Sequence, residues 1–576
     1  MAATVAVEAR SDRRIRWVVV GLLVVPALVL LVRVLQSGWL SSSDWADIEL
    51  RTRDVGTGHT PLIGAYSRYG WNHPGPLLFY VLALPYRVLG ARGYGILAGA
   101  LVVNGAALAC VGVVLWRRGR TVGLMLGLAL VLVLARALGA GFLVDPWNPY
   151  VIVFPLLAVV ALAWAAADGD LWALPIAVGL GSFVVQSHVG AALAVVAPIG
   201  VSVCAIVLDA RLHRGVRIKW VALASTAVAV VCWLPPVVQQ FQTGGGNLGN
   251  LIRFWTESHP RTTGWSAGAR IVLEQLAIPA PWISGHERIA VVTGAVEPHW
   301  NVPVALILLI AAGIVAVRRR DRQSIALDAV AFAVVLAAVF SAAHIVDAPF
   351  FYIVRWMWTV GVIVWLAILW TFWRALQPRF RADVALARLG AVAIAVLAAV
   401  LVVGAVRAEF PLQSDQRALV GIAPGVRRSL RALRAPIFVE GPTDFRSGLA
   451  ADGVLLIAIH AGIDARLPLQ SAGHVGRSHT ISKASAGSIV VVAVDDGIAK
   501  YRSDPSYRAV AGYDPLTREE RTYHTAVNAE ARRAYAEGIS EYERWSATHE
   551  RDLARVHDLD ERGPRIGLFL RTVGPG

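Results

Sequence analysis

Residues 94–120 read YGILAGALVVNGAALACVGVVLWRRGR, an apolar run closed by Trp116-Arg117-Arg118-Gly119-Arg120. At about 1.5 Å per residue, roughly twenty apolar residues in a helix cross the hydrocarbon core of a bilayer. The cationic tail marks where the span ends, because arginine and lysine are kept on the cytoplasmic side. The same unit recurs along the chain, and that recurrence decides the fold class.

Further spans are expected at 17–34, 122–143, 149–167, 171–188, 190–208, 220–238, 302–317, 324–345, 354–373 and 388–406. Together they make a polytopic α-helical membrane protein of about eleven transmembrane helices. The first span follows Arg10, Arg13, Arg14 and Arg16, and no small-residue cleavage site succeeds it. It therefore reads as an uncleaved anchor with a cytoplasmic N-terminus. Arginine-rich loops at 116–120, 211–219, 318–322 and 374–388 then fall inside. The connector at 167–171 is too short to support either side. An odd number of spans puts residues 409–576 outside, so the expected location is the plasma membrane with an extracytoplasmic C-terminal domain.

Composition agrees. A hydrophobic fraction of 56% and a mean hydropathy of +0.58 exclude an ordinary soluble protein. The formal net charge of +15 would suit nucleic acid, but the basic residues gather at span ends, where the membrane explains them, and no nucleic-acid partner is expected. Cys110, Cys204 and Cys232 all fall in apolar runs without metal-ligand spacing. Three lysines stand against 51 arginines, a bias typical of GC-rich coding that hints at an actinobacterial source.

Residues 1–408 read as the transmembrane domain, with long outside loops at 37–93 and 239–300, and 409–576 as a soluble domain. Loops of that length are often functional. Within 37–93, the apolar segment Pro76–Tyr86 is too short to span and suits a helix lying in the interface. In the C-terminal part, 435–440, 488–494 and 565–570 read as buried strands, and 445–465 and 519–556 carry helical periodicity. An α/β domain follows. It shows no nucleotide loop, triad or metal motif and reads as a structural or acceptor-recognition module.

The first outside loop holds the chemistry-bearing residues. Residues 43–54 read Ser-Asp-Trp-Ala-Asp-Ile-Glu-Leu-Arg-Thr-Arg-Asp, placing Asp44, Asp47 and Glu49 just beyond the first span. On a helix Asp44 and Asp47 share a face. Asp44 could cap that helix, and a carboxylate at a membrane–water boundary equally suits proton abstraction from an acceptor hydroxyl. The loop continues Tyr66-Ser67-Arg68-Tyr69-Gly70-Trp71-Asn72-His73-Pro74-Gly75-Pro76-Leu77. Trp71 and His73 read either as interface anchors or, with Arg68, as a site for an anionic headgroup and its sugar.

An acidic residue after the first span followed by a His-Pro-Gly-Pro-Leu element resembles the GT-C superfamily of membrane glycosyltransferases. More narrowly it resembles the branch of protein O-mannosyltransferases and lipid A aminoarabinose transferases, whose second element usually reads Lys-Pro-Pro-Leu. The resemblance extends in topology over 10–408, and its specific motifs lie within 44–77. It implies an inverting transfer from a polyprenyl-phosphate sugar donor to a cell-envelope acceptor, with membrane lipid around the site. It assigns Asp44, which matches the loop aspartate, as general base. Arabinofuranose and then mannose are the sugars that an actinobacterial source would suggest. A divalent cation held by Asp44 and Asp47 stays open, since transferases of this type often work without one.

Other polar groups fall near the outer face. Asp145 and Asn148 sit in a proline-rich turn. Gln186 and His188 end the fifth span, where polar side chains are costly and either functional or bonded between helices. Tyr352 and Arg355 begin the tenth span. An arginine there runs against the positive-inside trend, which favours contact with a lipid-linked phosphate. A transporter or lipid flippase is the competing class, but no internal repeat or paired broken helices support it. A non-catalytic envelope-assembly scaffold is the third.

Overall fold

The computed structural model describes residues 21–210, 216–242, 245–257, 261–290, 294–377, 383–441 and 445–571. Trp17, the basic residues Arg10, Arg13, Arg14 and Arg16, and Arg211 and Arg214 lie outside the described residues. The chain divides into two compact units. One comprises the described parts of 1–37, 61–88 and 95–408, the other those of 38–60, 89–94 and 409–576.

The first unit is a bundle of apolar helices. Each expected span is helical: Gly21–Gln36, Gly93–Leu138, Asn148–Ala167, Ala173–Ser187, Val189–Asp209, Val216–Gln242, Val304–Arg319, Arg322–Ala343, Phe351–Leu376 and Asp383–Val406. Gly93–Leu138 accounts for two spans, because Arg120 (φ 49°, ψ −143°) breaks it. Seven of these stretches are long and apolar enough to cross a membrane, and the chain is a multi-pass membrane protein. Asn148–Ala167 is enclosed by its neighbours, whereas Ile218–Gln242 keeps only 11% of its apolar window buried and turns its surface to lipid.

Packing explains the glycines at the Arg120 break. A Cβ on Gly119 would come within 2.5 Å of the Trp370 ring, and that indole meets Trp164 edge-on at 4.7 Å. The arginine-rich turns are also tied by carboxylates. Arg118 pairs with Asp168, Gln323 donates to the same carboxylate at 3.2 Å, and Arg374 grips Asp321 with Nε at 2.6 Å and Nη2 at 3.0 Å. Such paired guanidinium–carboxylate contacts are among the stronger hydrogen bonds.

The second unit is built on a six-stranded sheet: β1 (Ile437–Glu440), β2 (Ala465–Pro468), β3 (Thr480–Ile481), β4 (Ser488–Val494), β5 (Tyr507–Tyr513) and β6 (Ile566–Arg571). Their order is β3-β2-β1-β4-β6-β5. β1 runs parallel to β2 and β4, β2 parallel to β3, and β6 antiparallel to both β4 and β5. Alternation along β4 sends Val490, Val492 and Val494 into one core and Val491 and Ala493 into the other. Helices Gln413–Arg431 and Phe445–His460 cover the larger core with Leu419, Ile422, Val426, Val454 and Leu455.

The first outside loop is divided, where the sequence suggested one piece. Residues 38–60 and 89–94 cluster with 409–576, and 61–88 with the bundle. The cause is the acidic helix Ser43–Asp54, whose Ala46 and Leu50 are fully buried in the larger sheet core. Burying a leucine of this kind contributes about 1.5–3 kcal/mol. The short apolar helix expected near Pro76–Tyr86 is present as Leu77–Val88, with Leu78, Phe79, Leu82 and Tyr86 buried. In the sheet unit, Ala465 opens β2 instead of ending a helix, and the 519–556 stretch forms three helices, Arg518–Glu537, Ile539–Thr548 and Glu550–Glu561.

Candidate functional site

The acidic helix starts at Ser43, whose φ of 54° is unusual for a residue with a Cβ. Its N-cap is Ser42, without a side-chain capping bond, so Asp44 stands in the first turn and not at the cap. Along one helix the carboxylates meet four environments. Asp44 is exposed. Asp47 is half-buried, with Oδ2 3.6 Å from Nδ1 of His474, and burial raises its pKa against the pull of His474 and Arg51. Glu49 is fully buried, accepting from Ser41 and from His460 Nε2 at 2.8 Å. Asp54 accepts from Ser478 at 2.9 Å and faces His479 Nε2 at 3.1 Å.

Asp452 joins this group from helix Phe445–His460. Burial, and then the charges of Asp47 and Asp44, hold its carboxyl well above the usual range. In the sequence its signal was a lone aspartate in the apolar run Leu449-Ala450-Ala451-Asp452-Gly453-Val454-Leu455. Among the described residues, no three His, Cys, Asp or Glu side chains converge in a way that would hold a metal ion.

The remaining sequence-derived site residues gather in the bundle unit. Residues 64–73 form a small hairpin: Gly64 N–H donates to His73 O at 2.9 Å, His73 N–H to Ala65 O at 2.8 Å, and Ser67 N–H to Trp71 O at 2.8 Å. Gly70, at φ 82°, makes the turn. Asn247 of helix Asn247–Thr256 holds the hairpin from the second long loop. Its Oδ1 accepts from Asn72 N–H at 2.9 Å, and its Nδ2 donates to Asn72 O at 2.7 Å. Nothing local in the sequence marked this pair.

At the hairpin tip, Arg68 is exposed and lies over the Phe350 ring at 4.4 Å, and Phe350 stacks on Tyr352 at 5.7 Å. Trp71 and His73 are buried and meet edge-on at 5.4 Å. His73 Nδ1 accepts from the Val189 N–H at 3.2 Å, which leaves the proton on Nε2. Burial and then His188 push the His73 pKa well below its ordinary value. His73 is thus a neutral hydrogen-bond donor at physiological pH.

His188 is 5.4 Å from His73, buried, with the Ile353 backbone beside it. Tyr352 packs on Trp147 at 5.0 Å, and Asp145 Oδ1 accepts from the Trp147 N–H at 2.9 Å. Asn148 donates to Ser187 O at 3.1 Å. Arg355 is largely buried, stacked on Trp358 at 4.2 Å, with Nη2 3.4 Å from Glu287 Oε2. Arg68, Trp71, His73, His188, Tyr352 and Arg355 thus converge at one end of the bundle. Asp44, Asp47 and Glu49 belong to the sheet unit. Sequence reasoning missed Glu287, Asn247 and Asp452.

No known family's profile matches the sequence, and no curated protein matches it. Among solved structures the fold is similar to that of ArnT from Cupriavidus metallidurans in the apo state, with 14% identity and a TM-score of 0.51, over 86% of this chain and 96% of that one. ArnT bound to undecaprenyl phosphate aligns over the same shares with 13% identity and a TM-score of 0.49. The archaeal oligosaccharyltransferase AglB from Archaeoglobus fulgidus, in complex with an inhibitory peptide and a dolichol-phosphate, aligns with 12% identity and a TM-score of 0.42, over 96% of this chain and 88% of that one. The likeness to ArnT is one of fold alone.

Proposed function

We propose that the protein is an inverting glycosyltransferase of the plasma membrane, moving a sugar from a polyprenyl-phosphate donor to a cell-envelope acceptor on the outer face. The observation that carries this reading is the convergence of Arg68, His73, His188, Tyr352 and Arg355, drawn from distant segments, at one end of a bundle of GT-C architecture. Two guanidinium groups and a neutral imidazole donor suit a phosphodiester, and Tyr352 and Trp71 offer aromatic surface to a sugar.

In the proposed reaction Asp44 takes the proton of the acceptor hydroxyl. The oxygen attacks the anomeric carbon, the bond from that carbon to the phosphate oxygen breaks, and polyprenyl phosphate leaves with the electron pair. Arginine near the departing phosphate stabilises its growing charge. Glu49, which as an acidic residue of the first outside loop was a candidate for substrate binding, serves in this reading as an anchor, because its carboxylate is occupied by Ser41 and His460. The cytoplasmic N-terminus and extracytoplasmic sheet unit are part of the proposal, as is an actinobacterial source.

The test is to incubate membranes carrying the protein with labelled polyprenyl-phosphate arabinofuranose and polyprenyl-phosphate mannose, and to map any product. Transfer that requires the chain supports the reading. Labelled lipid that only changes leaflet, with no glycoside formed, would replace it with lipid transport.

A further inference from the structure

Glu287 lies in the second long loop, and its side chain is only 2% exposed. A buried carboxylate is costly unless paired. Its Oε2 stands 3.4 Å from Arg355 Nη2, and its Oε1 accepts from Trp358 Nε1 at 3.3 Å. The Arg355 guanidinium lies over the same Trp358 ring at 4.2 Å. Tyr150 bonds the guanidinium from another helix, with Asp145 near it, and Glu274 is the further carboxylate that Glu287 senses. Burial raises the Glu287 pKa, while Arg355 and Trp358 hold it down. Arg355 thus has a buried carboxylate standing 3.4 Å from its guanidinium.

That pairing has a chemical consequence for a lipid-phosphate site. The donor is a phosphodiester with one negative charge. The departing lipid is a monoester, with about −1.5 to −2 charges near neutral pH. A bare arginine would bind the more highly charged product more tightly than the donor and retain it. A fixed carboxylate beside the guanidinium repels every negative charge on the ligand, so it penalises the dianion about twice as much as the monoanion.

We propose that Glu287 is a specificity-determining residue that makes the Arg355 site prefer the monoanionic lipid phosphodiester over the dianionic lipid monophosphate, and so favours release of the product. This rests on the glycosyltransferase reading, and in particular on Arg355 as the phosphate contact. A simple loop clip is the competing role. Removing a clip would weaken folding and both lipids alike, whereas removing a charge filter changes their ratio.

The experiment measures binding of undecaprenyl phosphate and of its methyl diester to the purified full chain in nanodiscs at pH 8, for wild type, Glu287→Gln and Glu287→Asp. Glu287→Gln should strengthen monoester binding about tenfold more than diester binding, as the loss of one nearby charge implies. Glu287→Asp should keep the wild-type ratio. Equal shifts for both lipids, or none, overturn the proposal while leaving the donor class intact. Wild type that binds neither lipid overturns the glycosyltransferase reading itself. Should Glu287→Gln fail to fold, wild type alone decides: its monoester-to-diester affinity ratio must fall as pH rises from 5.5 to 8 and the monoester gains its second charge. A rising ratio overturns the charge filter.

Discussion

The carboxylate of Glu49 and the imidazole of His460 meet at 2.8 Å across 411 residues of sequence. Both side chains are almost wholly buried, and the pair fixes the acidic helix to the sheet unit. His479 with Asp54 and His474 with Asp47 repeat the pairing along the same helix.

Glu49→Ala would strand the His460 imidazole and the Ser41 hydroxyl in the interior. Leaving a buried polar group without its partner costs about 1–3 kcal/mol. Thermal unfolding of the purified chain should show an earlier transition, and limited proteolysis should cut the 43–54 segment sooner.

Asp44→Asn should insert and fold as wild type does, because the side chain is exposed and amide and carboxylate have the same shape. Transfer from a polyprenyl-phosphate sugar should fall at least about hundredfold, the usual scale for losing a general base. Wild-type rates from this variant would remove Asp44 from the mechanism.

Asp452 gives a pH signature. Its folded pKa is raised, so the folded chain holds the proton more tightly than the unfolded one. Stability from this group is present below the unfolded pKa and is lost as pH rises toward the folded pKa. Asp452→Asn should therefore raise the unfolding midpoint at pH 7.5 and leave it unmoved below about pH 4. A lower midpoint at pH 7.5 would mean that the ionised carboxylate is the stabilising form.

Arg355→Ala should raise the donor KM about tenfold or more, the scale of one lost charge-assisted hydrogen bond. Acceptor KM should change little. An unchanged donor dependence would move the phosphate contact elsewhere, with Arg68 the first alternative.

The spans were legible because each is a continuous apolar run, and β1, β4 and β6 were legible because strands buried on both faces read the same way. β5 was not: Tyr507-Arg508-Ala509-Val510-Ala511-Gly512-Tyr513 is a half-exposed edge strand that pairs only with β6. β2 and β3 are four and two residues long, too short for a period to show. The break after Glu537 turns on Gly538 at φ 135°, a local device inside an otherwise helical pattern. Of the site, the sequence marked the bundle residues individually, since arginine and histidine at span ends are conspicuous. It could not show that Glu49 is an anchor or that Arg355 has a carboxylate partner. Those facts depend on His460 and Glu287, which no local spacing connects to them.

The division of the first loop also sets a schedule for synthesis. Helix Ser43–Asp54 leaves the ribosome about 400 residues before helix Phe445–His460, against which it packs, a gap of roughly 20–80 s at about 5–20 residues per second. During that interval Ala46, Leu50 and the Glu49 carboxylate have none of the C-terminal partners that bury them in the finished chain. The sheet unit is thus the last part to be completed, closing over a piece that was among the first to be made. A chain truncated after the bundle would carry that piece permanently unsheltered, a substrate for membrane quality-control proteases.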